Sequence, residues 1–115
     1  MIWKTADECG LPVESMNGEY DNGQFEMTLC FNDALKACDD AMLFRMMARE
    51  LAYRSGYLLT FMPKPMPERG GSGLHVNFSL TDHDGANVIA PDGELSDLAN
   101  HCIGGLLRPV SYTHL

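Results

Sequence analysis

The sequence predicts an α+β fold, and three segments support that prediction. Residues 25–31 and 74–80 alternate strictly between apolar and polar side chains, the pattern of a β-strand with one buried face. Residues 33–55 repeat apolar side chains at helical spacing, and Gly56 follows, as expected at a helix end. We therefore expect two strands and a long helix to share one apolar core.

The polar faces of the two predicted strands carry Glu26 and His75. Strands lying side by side above a common core could present both side chains to one pocket. The glycines of the segment 69–73 precede the second strand, where a bare backbone lets a ligand approach its N–H groups. Taken alone, each alternating pattern fits an ordinary hairpin strand, with its polar residues facing water, as well as it fits a strand that lines a pocket.

The remaining elements are predicted from local signals. We expect a helix at 2–9 that ends at Gly10, a loop or hairpin turn at 15–24, a buried strand at 57–62, a polar turn at 82–87, and a helix at 95–107 with Ser96 near its start. The methionine-rich stripe of the long helix, with Met42 and Met46, is expected to pack in the core.

Composition limits the classes of function. The chain of 115 residues predicts one domain, and its formal charge of −8 argues against nucleic-acid binding. No apolar run is long enough to cross a membrane, and the first residues lack the apolar region of a signal peptide. The four cysteines lack disulfide or zinc spacing, so we expect reduced, mostly buried thiols and a cytoplasmic location.

Three side chains are candidate metal ligands: Glu19, Glu26 and His75. Carboxylate oxygens suit Mg²⁺ and Mn²⁺, and Mn²⁺ tolerates an imidazole best. Acids beside a glycine loop favour metal-assisted phosphoryl chemistry, although acids in such a loop are more usually just solvated. The loop lacks the Lys-Ser/Thr pair that ends a P-loop, which excludes that class.

Three motifs resemble the glutamine synthetase family. The segment 19–26 (EYDNGQFE) resembles the family's E-x-x-x-G-Q-[FYN]-E motif. The segments 60–65 (TFMPKP) and 71–79 (GSGLHVNFS) resemble its ATP-binding signature, and 95–107 is similar to the helix that follows. Together they cover about residues 10–107 in the family's order.

The resemblance implies a curved antiparallel sheet backed by helices, within a ring-shaped homo-oligomer whose active sites lie between subunits. It implies ligation of ammonia, or of an amine, to the γ-carboxyl of glutamate. ATP first phosphorylates the glutamate, and the acyl phosphate is then aminolysed, with Mg²⁺ or Mn²⁺ bound.

Site residues follow from the resemblance position by position. Glu19 and Glu26 resemble ligands of one metal and His75 a ligand of another. Gly71 resembles the backbone contact to substrate glutamate. Glu14, Asn77 and Ser79 resemble ATP-binding residues of the family.

The chain departs from the family in what it lacks. Further acidic ligands expected upstream and arginines expected downstream are absent, so we expect residues 1–107 to be a partial catalytic domain, inactive alone. Residues 108–115 match nothing in the family pattern and are expected to be a separate tail. Two other functions stay open, a γ-glutamyl–amine (polyamine) ligase and a non-catalytic assembly subunit; the intact acids and histidine argue against the second.

Overall fold

Two strands and three helices make up the part of the chain described by the computed structural model, residues 1–108. They are α1 (Ile2–Glu8), β1 (Val13–Gly18), β2 (Phe25–Leu29), α2 (Ala34–Arg54) and α3 (Asp97–Leu107). The chain divides into two units, one spanning Met1–Leu74 and the other beginning at His75. Helices and antiparallel strands in one chain confirm the predicted α+β class.

Strands β1 and β2 form an antiparallel hairpin in which Asn17 pairs with Glu26 and Gly18 with Phe25. The loop closes with a β-turn, since the Gln24 N–H donates to the Asp21 carbonyl oxygen over 3.0 Å. Gly23 has a φ of 79°, a value that a turn requires here and that side chains disfavour. The strand residues 15–18 were predicted only as part of a loop or hairpin turn.

A shift of register between Val13 and Ser15 decides which side chains of β1 face the core. Beyond the shift, Ser15 pairs with Thr28 on the polar face, whereas Val13 pairs with the apolar Leu29. Without the irregularity, strict alternation would place Val13 and Ser15 on the same face. The shift therefore allows Val13 to pack on the core of the first unit while the rest of the polar face stays continuous.

The core of the first unit lies where α1 and the hairpin meet α2. Its buried residues are Ala6, Leu11, Phe44 and Ala48, and the apolar face of the hairpin packs against them. The buried positions of α2 recur every four residues: Asp40, Phe44, Ala48 and Ala52. Two alanines on this stripe let neighbouring elements approach the helix closely.

Around the long helix, most predicted boundaries agree with the structure. Helix α1 ends before Gly10, whose φ is 70°, and α2 ends before Gly56, whose φ is 79°. The methionine stripe, however, is not core, because Met42 and Met46 are 58% and 65% exposed. That prediction was wrong because the smaller Ala48 and Ala52 occupy the buried stripe instead.

The second unit is built around a capped helix. The Ser96 hydroxyl accepts the Ala99 N–H over 3.2 Å and donates to the Val88 carbonyl oxygen over 2.7 Å. It thus caps α3 and ties the preceding segment to it. The polar turn is confirmed, with Asp82 accepting N–H groups from Asp84 and Ala86.

Two predicted strands do not form. Residues 57–62 and 74–80 carry no regular secondary structure, and Leu74 and Val76 are 83% and 75% exposed. A strand is stable only when a neighbour takes up its N–H and C=O groups. In the described residues the sheet contains β1 and β2 alone, so the alternating pattern has no strand to pair with.

The cysteine prediction was half right. All four thiols are free, but Cys9, Cys30 and Cys38 are exposed rather than buried. None of the helices in residues 1–108 is both long and apolar enough to span a membrane. The predicted tail boundary at 107/108 concerns mainly residues 109–115, which lie outside the described part, and it stays a prediction.

Candidate functional site

The polar face of the hairpin carries the two candidate carboxylates. Glu26 pairs with Asn17 in the ladder, and the Glu19 N–H donates to the Gln24 carbonyl oxygen over 2.9 Å. Continuing the ladder past Gly18 makes Glu19 and Glu26 diagonal neighbours on one face. Diagonal pairs of antiparallel strands are generally about 7–8 Å apart, which long side chains can bridge. The seven-residue spacing brings both acids together because the turn lies midway between them.

The glycine loop, residues 69–73, is hydrogen-bonded to the tip of this hairpin. The Gln24 side-chain Nε2 donates to the Gly71 carbonyl oxygen over 2.9 Å and to the Ser72 hydroxyl over 3.3 Å. The Asp21 carboxylate accepts the Gly70 N–H and also pairs with Arg69 Nη1 at 3.3 Å. All of these residues belong to the first unit, so its own folding places the loop on the hairpin tip, at the turn between Glu19 and Glu26.

Asp21 is the acid whose ionisation these contacts change. The hydrogen bond from the Gly70 N–H lowers the pKa of the Asp21 carboxyl below its ordinary value. Partial desolvation acts in the opposite direction, and the nearby Arg69 guanidinium lowers the pKa further. Asp21 is therefore an anion near neutral pH and a constant acceptor for the loop.

Glu19 and Glu26 are suitable donors for a hard divalent cation. Both side chains are exposed, and neither has a basic partner within 4.0 Å among residues 1–108. Within the described part of the chain, the Glu19 carboxylate accepts one hydrogen bond, from the N–H of the adjacent Tyr20 at 3.2 Å. Two uncommitted carboxylates on one face fit the partial, water-retaining coordination typical of Mg²⁺.

No group of three or more His, Cys, Asp or Glu side chains within the described residues is arranged to hold a metal. The predicted assignment gives Glu19 and Glu26 to one ion and His75 to another, so it does not depend on such a group. His75, Asn77 and Ser79 lie in the second unit and are exposed. Their participation in a pocket with Glu26 remains a prediction.

Glu14 lies at the register irregularity of β1 and is exposed. Its predicted contact with ATP remains a prediction as well. Gly71, the predicted backbone contact for glutamate, sits against the Pro63 carbonyl oxygen, which would lie 3.1 Å from a Cβ added there. A side chain at position 71 is therefore disfavoured, as expected where a backbone must stay accessible.

Sequence reasoning missed Asp21 and Gln24, the two residues that join the hairpin to the loop. Both residues lie inside the motif 19–26, but the motif assigns neither of them a role. The contacts join residues 47 to 49 positions apart, and no local pattern signals such a distant partner.

A groove with a volume of about 510 Å³ runs along the outer face of α2. Its lining includes Met42, Arg45, Met46, Arg49, Tyr53 and Tyr57. Its single carboxylate, Glu50, is engaged by Arg54 at 2.7 Å. This groove therefore lacks the paired free acids of the hairpin and is a weaker candidate for metal-dependent chemistry.

The first unit combines two exposed carboxylates on a hairpin with a glycine loop that is hydrogen-bonded to the hairpin tip. Residues 1–113 match the family model described as glutamine synthetase, catalytic domain. The chain therefore belongs to the glutamine synthetase catalytic-domain family, as its motifs indicated.

The names of similar proteins include glutamine synthetases, a glutamate–amine ligase and a gamma-glutamylethanolamide synthetase. The chain is 40% identical over 111 residues to type-1 glutamine synthetase 1 of Dictyostelium discoideum, covering 93% of the chain and 22% of that protein. It is 40% identical over 99 residues to the gamma-glutamylethanolamide synthetase GlnA4 of Streptomyces coelicolor, covering 86% and 21%. It is 38% identical over 109 residues to glutamate–isopropylamine ligase of a Pseudomonas species, covering 92% and 24%.

The chain thus spans less than a quarter of the length of these curated relatives. The match includes the hairpin, α2, the glycine loop and α3, which are the segments that carried the resemblance.

Proposed function

We propose that the protein carrying this chain joins ammonia to the γ-carboxyl of glutamate at the expense of ATP. The observation that carries the proposal is the hydrogen-bonded contact between the hairpin tip and the glycine loop. It joins the Gly71 backbone to the turn that lies between Glu19 and Glu26 in the sequence. Family membership supports a ligase of the glutamine synthetase class. The resemblance of the motifs implies the two steps, phosphorylation of glutamate and then aminolysis of the γ-glutamyl phosphate.

Each predicted site residue then has a role. Glu19, Glu26 and His75 hold Mg²⁺ or Mn²⁺, and the Gly71 backbone binds substrate glutamate. ATP contacts are assigned to Glu14, Asn77 and Ser79. A bound divalent cation would neutralise the charge that develops on the transferred phosphoryl group.

The glycine loop contributes backbone rather than side chains. The Gly70 and Ser72 N–H groups already donate to Asp21 and to the Pro63 carbonyl oxygen, and these bonds hold the loop in place from two sides. The Gly71 N–H between them is the donor that we assign to an anionic substrate. Such preorganised donors stabilise developing negative charge without reorganising during the reaction.

A γ-glutamyl–amine ligase is the second candidate, and the named relatives favour keeping it. Two of the similar proteins carry ethanolamide and isopropylamine in their names, at identities equal or close to that of the glutamine synthetase. Comparing turnover of ammonia with that of ethanolamine, isopropylamine and putrescine in the full-length protein separates the two. If one of these amines is turned over faster than ammonia, that amine becomes the proposed acceptor.

The assignment is tested by His75→Ala in the full-length protein, with His83→Ala as the matched control. His83 lies in the exposed polar turn and has no assigned role. We expect His75→Ala to lower Mg²⁺- or Mn²⁺-dependent γ-glutamyl transfer by roughly 100-fold or more, and the control to leave it unchanged. Equal activity in both variants would remove His75 from the site.

The same assay separates catalysis from a non-catalytic assembly role. An assembly subunit would form the proposed cytoplasmic homo-oligomeric ring, measurable by sedimentation, without forming ATP-dependent γ-glutamyl hydroxamate. We expect the full-length protein to form the hydroxamate and the isolated 115-residue chain not to. Hydroxamate formation by the isolated chain would show that the missing acids and arginines are dispensable.

A further inference from the structure

Two polar side chains on the hairpin tip hold the glycine loop from outside. Gln24 bonds the Gly71 carbonyl oxygen at 2.9 Å, and Asp21 accepts the Gly70 N–H. Both residues are half-buried, and the Asp21 side chain is 19% exposed. These contacts join segments that are distant in sequence, so they define how the loop sits on the hairpin.

Gln24 occupies a position where few other side chains would serve. It lies opposite Glu19 and two residues from Glu26, on the same face as both. Its Nε2 donates to Gly71, while its Oε1 accepts the Asp21 N–H over 3.2 Å. Both ends of the amide are thus used, which fixes its orientation, and a carboxylate here would have no proton to give.

The other side of the loop is held by its own approach segment. The Ser72 N–H donates to the Pro63 carbonyl oxygen over 2.7 Å, and the Lys64 ammonium donates to the Arg69 carbonyl oxygen. These contacts give the loop its shape but do not connect it to the hairpin. Among the hydrogen bonds of residues 1–108, those of Asp21 and Gln24 are the ones that join the loop to the hairpin.

We propose that Asp21 and Gln24 are positioning residues that set the Gly71 backbone at a fixed place relative to Glu19 and Glu26. The proposal rests on the proposed function, in which Gly71 binds glutamate and the two acids bind a divalent cation. Releasing the loop would shift bound glutamate away from the metal-binding face. The affinity for glutamate would fall, while the ATP contacts assigned to other residues would be spared.

The test compares Gln24→Glu and Asp21→Ala with Asn22→Ala in the full-length protein. Asn22 is the matched control, because it lies in the same turn and its exposed side chain makes none of these contacts. Asp21→Asn is a rescue variant, since its amide oxygen can still accept the Gly70 N–H. Hydrogen–deuterium exchange of a peptide covering residues 63–74 reports on the loop without requiring any substrate.

We expect the loop amides to exchange about tenfold faster in Gln24→Glu and Asp21→Ala, since each variant loses one or two hydrogen bonds. The KM for glutamate should rise about tenfold in both, with the KM for ATP within about twofold of wild type. Asn22→Ala should match wild type, and Asp21→Asn should recover most of the protection.

Unchanged exchange in both variants would overturn the proposal. Faster exchange with an unchanged KM for glutamate would also overturn it, because the contacts would then hold the loop without positioning substrate. Absence of ligase activity in the wild-type protein would refute the proposed function instead, and exchange would still decide whether Asp21 and Gln24 hold the loop.

Discussion

Gly70 lies so close to Asp21 that a Cβ added to the glycine would come within 3.1 Å of Asp21 Oδ2. The same methyl group would meet Gln24 Oε1 at 3.3 Å. Asp21 Oδ2 accepts the Gly70 N–H, and Gln24 Oε1 accepts the Asp21 N–H, so neither oxygen can move away without weakening a hydrogen bond. A glycine at position 70 therefore allows the loop backbone to pack closely against Asp21 and Gln24.

We expect Gly70→Ala to lower the free energy of unfolding by about 1 kcal/mol. The weakened charge-assisted hydrogen bond outweighs the entropic gain that alanine usually brings. Urea denaturation of the 115-residue chain measures the change. Gly18→Ala is the control, since a Cβ there meets no heavy atom within 4 Å and should leave stability equal or slightly higher. A stabilised Gly70→Ala variant would contradict the observed packing.

Asp40 is a buried acid that depends on one partner. Its side chain is 5% exposed, Lys36 Nζ lies 2.5 Å from its Oδ1, and its Oδ2 has no hydrogen-bond partner in the described residues. Lys36→Met should lower stability by roughly 1–3 kcal/mol, because it leaves a buried charge uncompensated. Asp40→Asn should have a smaller effect, because it removes the charge as well.

The control for this pair is Arg54→Met, which breaks a pair of similar spacing in the open. Arg54 and Glu50 are 73% and 59% exposed, so the loss should be less than about 0.5 kcal/mol. Chemical denaturation at low and high salt distinguishes the two cases. If Lys36→Met had as small an effect as Arg54→Met, Asp40 would have to be solvated rather than buried.

Phe44 is the largest side chain among the buried residues of the first unit, where it packs with Ala6, Leu11 and Ala48. Removing its ring should lower stability by about 3 kcal/mol or more, through lost burial and the cavity that remains. Leu43→Ala, at a position 53% exposed, should change it by less than about 1 kcal/mol. Similar losses in both variants, measured by thermal unfolding, would mean that a different stripe of α2 forms the core.

Gly104 lies inside α3, and a Cβ at this position would meet nothing within 4 Å. Gly104→Ala in the 115-residue chain should therefore stabilise the helix by about 0.5–1 kcal/mol, because alanine has the higher helix propensity. Circular dichroism of the variant should show a gain in helical signal. A loss would indicate that another element packs closely against this face of α3.

Local signals predicted the helices and the hairpin well. Gly10 and Gly56 end α1 and α2, and Ser96 caps α3 as its position suggested. The candidate acids could also be predicted in part, since alternation placed Glu26 on a polar face. That Glu19 joins it there depends on the hairpin register, which a turn sequence alone leaves open among neighbouring pairings.

The sequence by itself determined the family, the helix ends and the polar face of the hairpin, because capping, turn chemistry and side-chain alternation act between residues close in the chain. Tertiary structure alone decided that Asp21 and Gln24 hold the glycine loop and that Ala48 rather than Met46 faces the core. It also decided that 74–80 pairs with no strand among residues 1–108. Such contacts depend on which segments, distant in sequence, pack against each other in the folded chain. Hydrogen bonding and close packing then select among patterns that are locally equivalent.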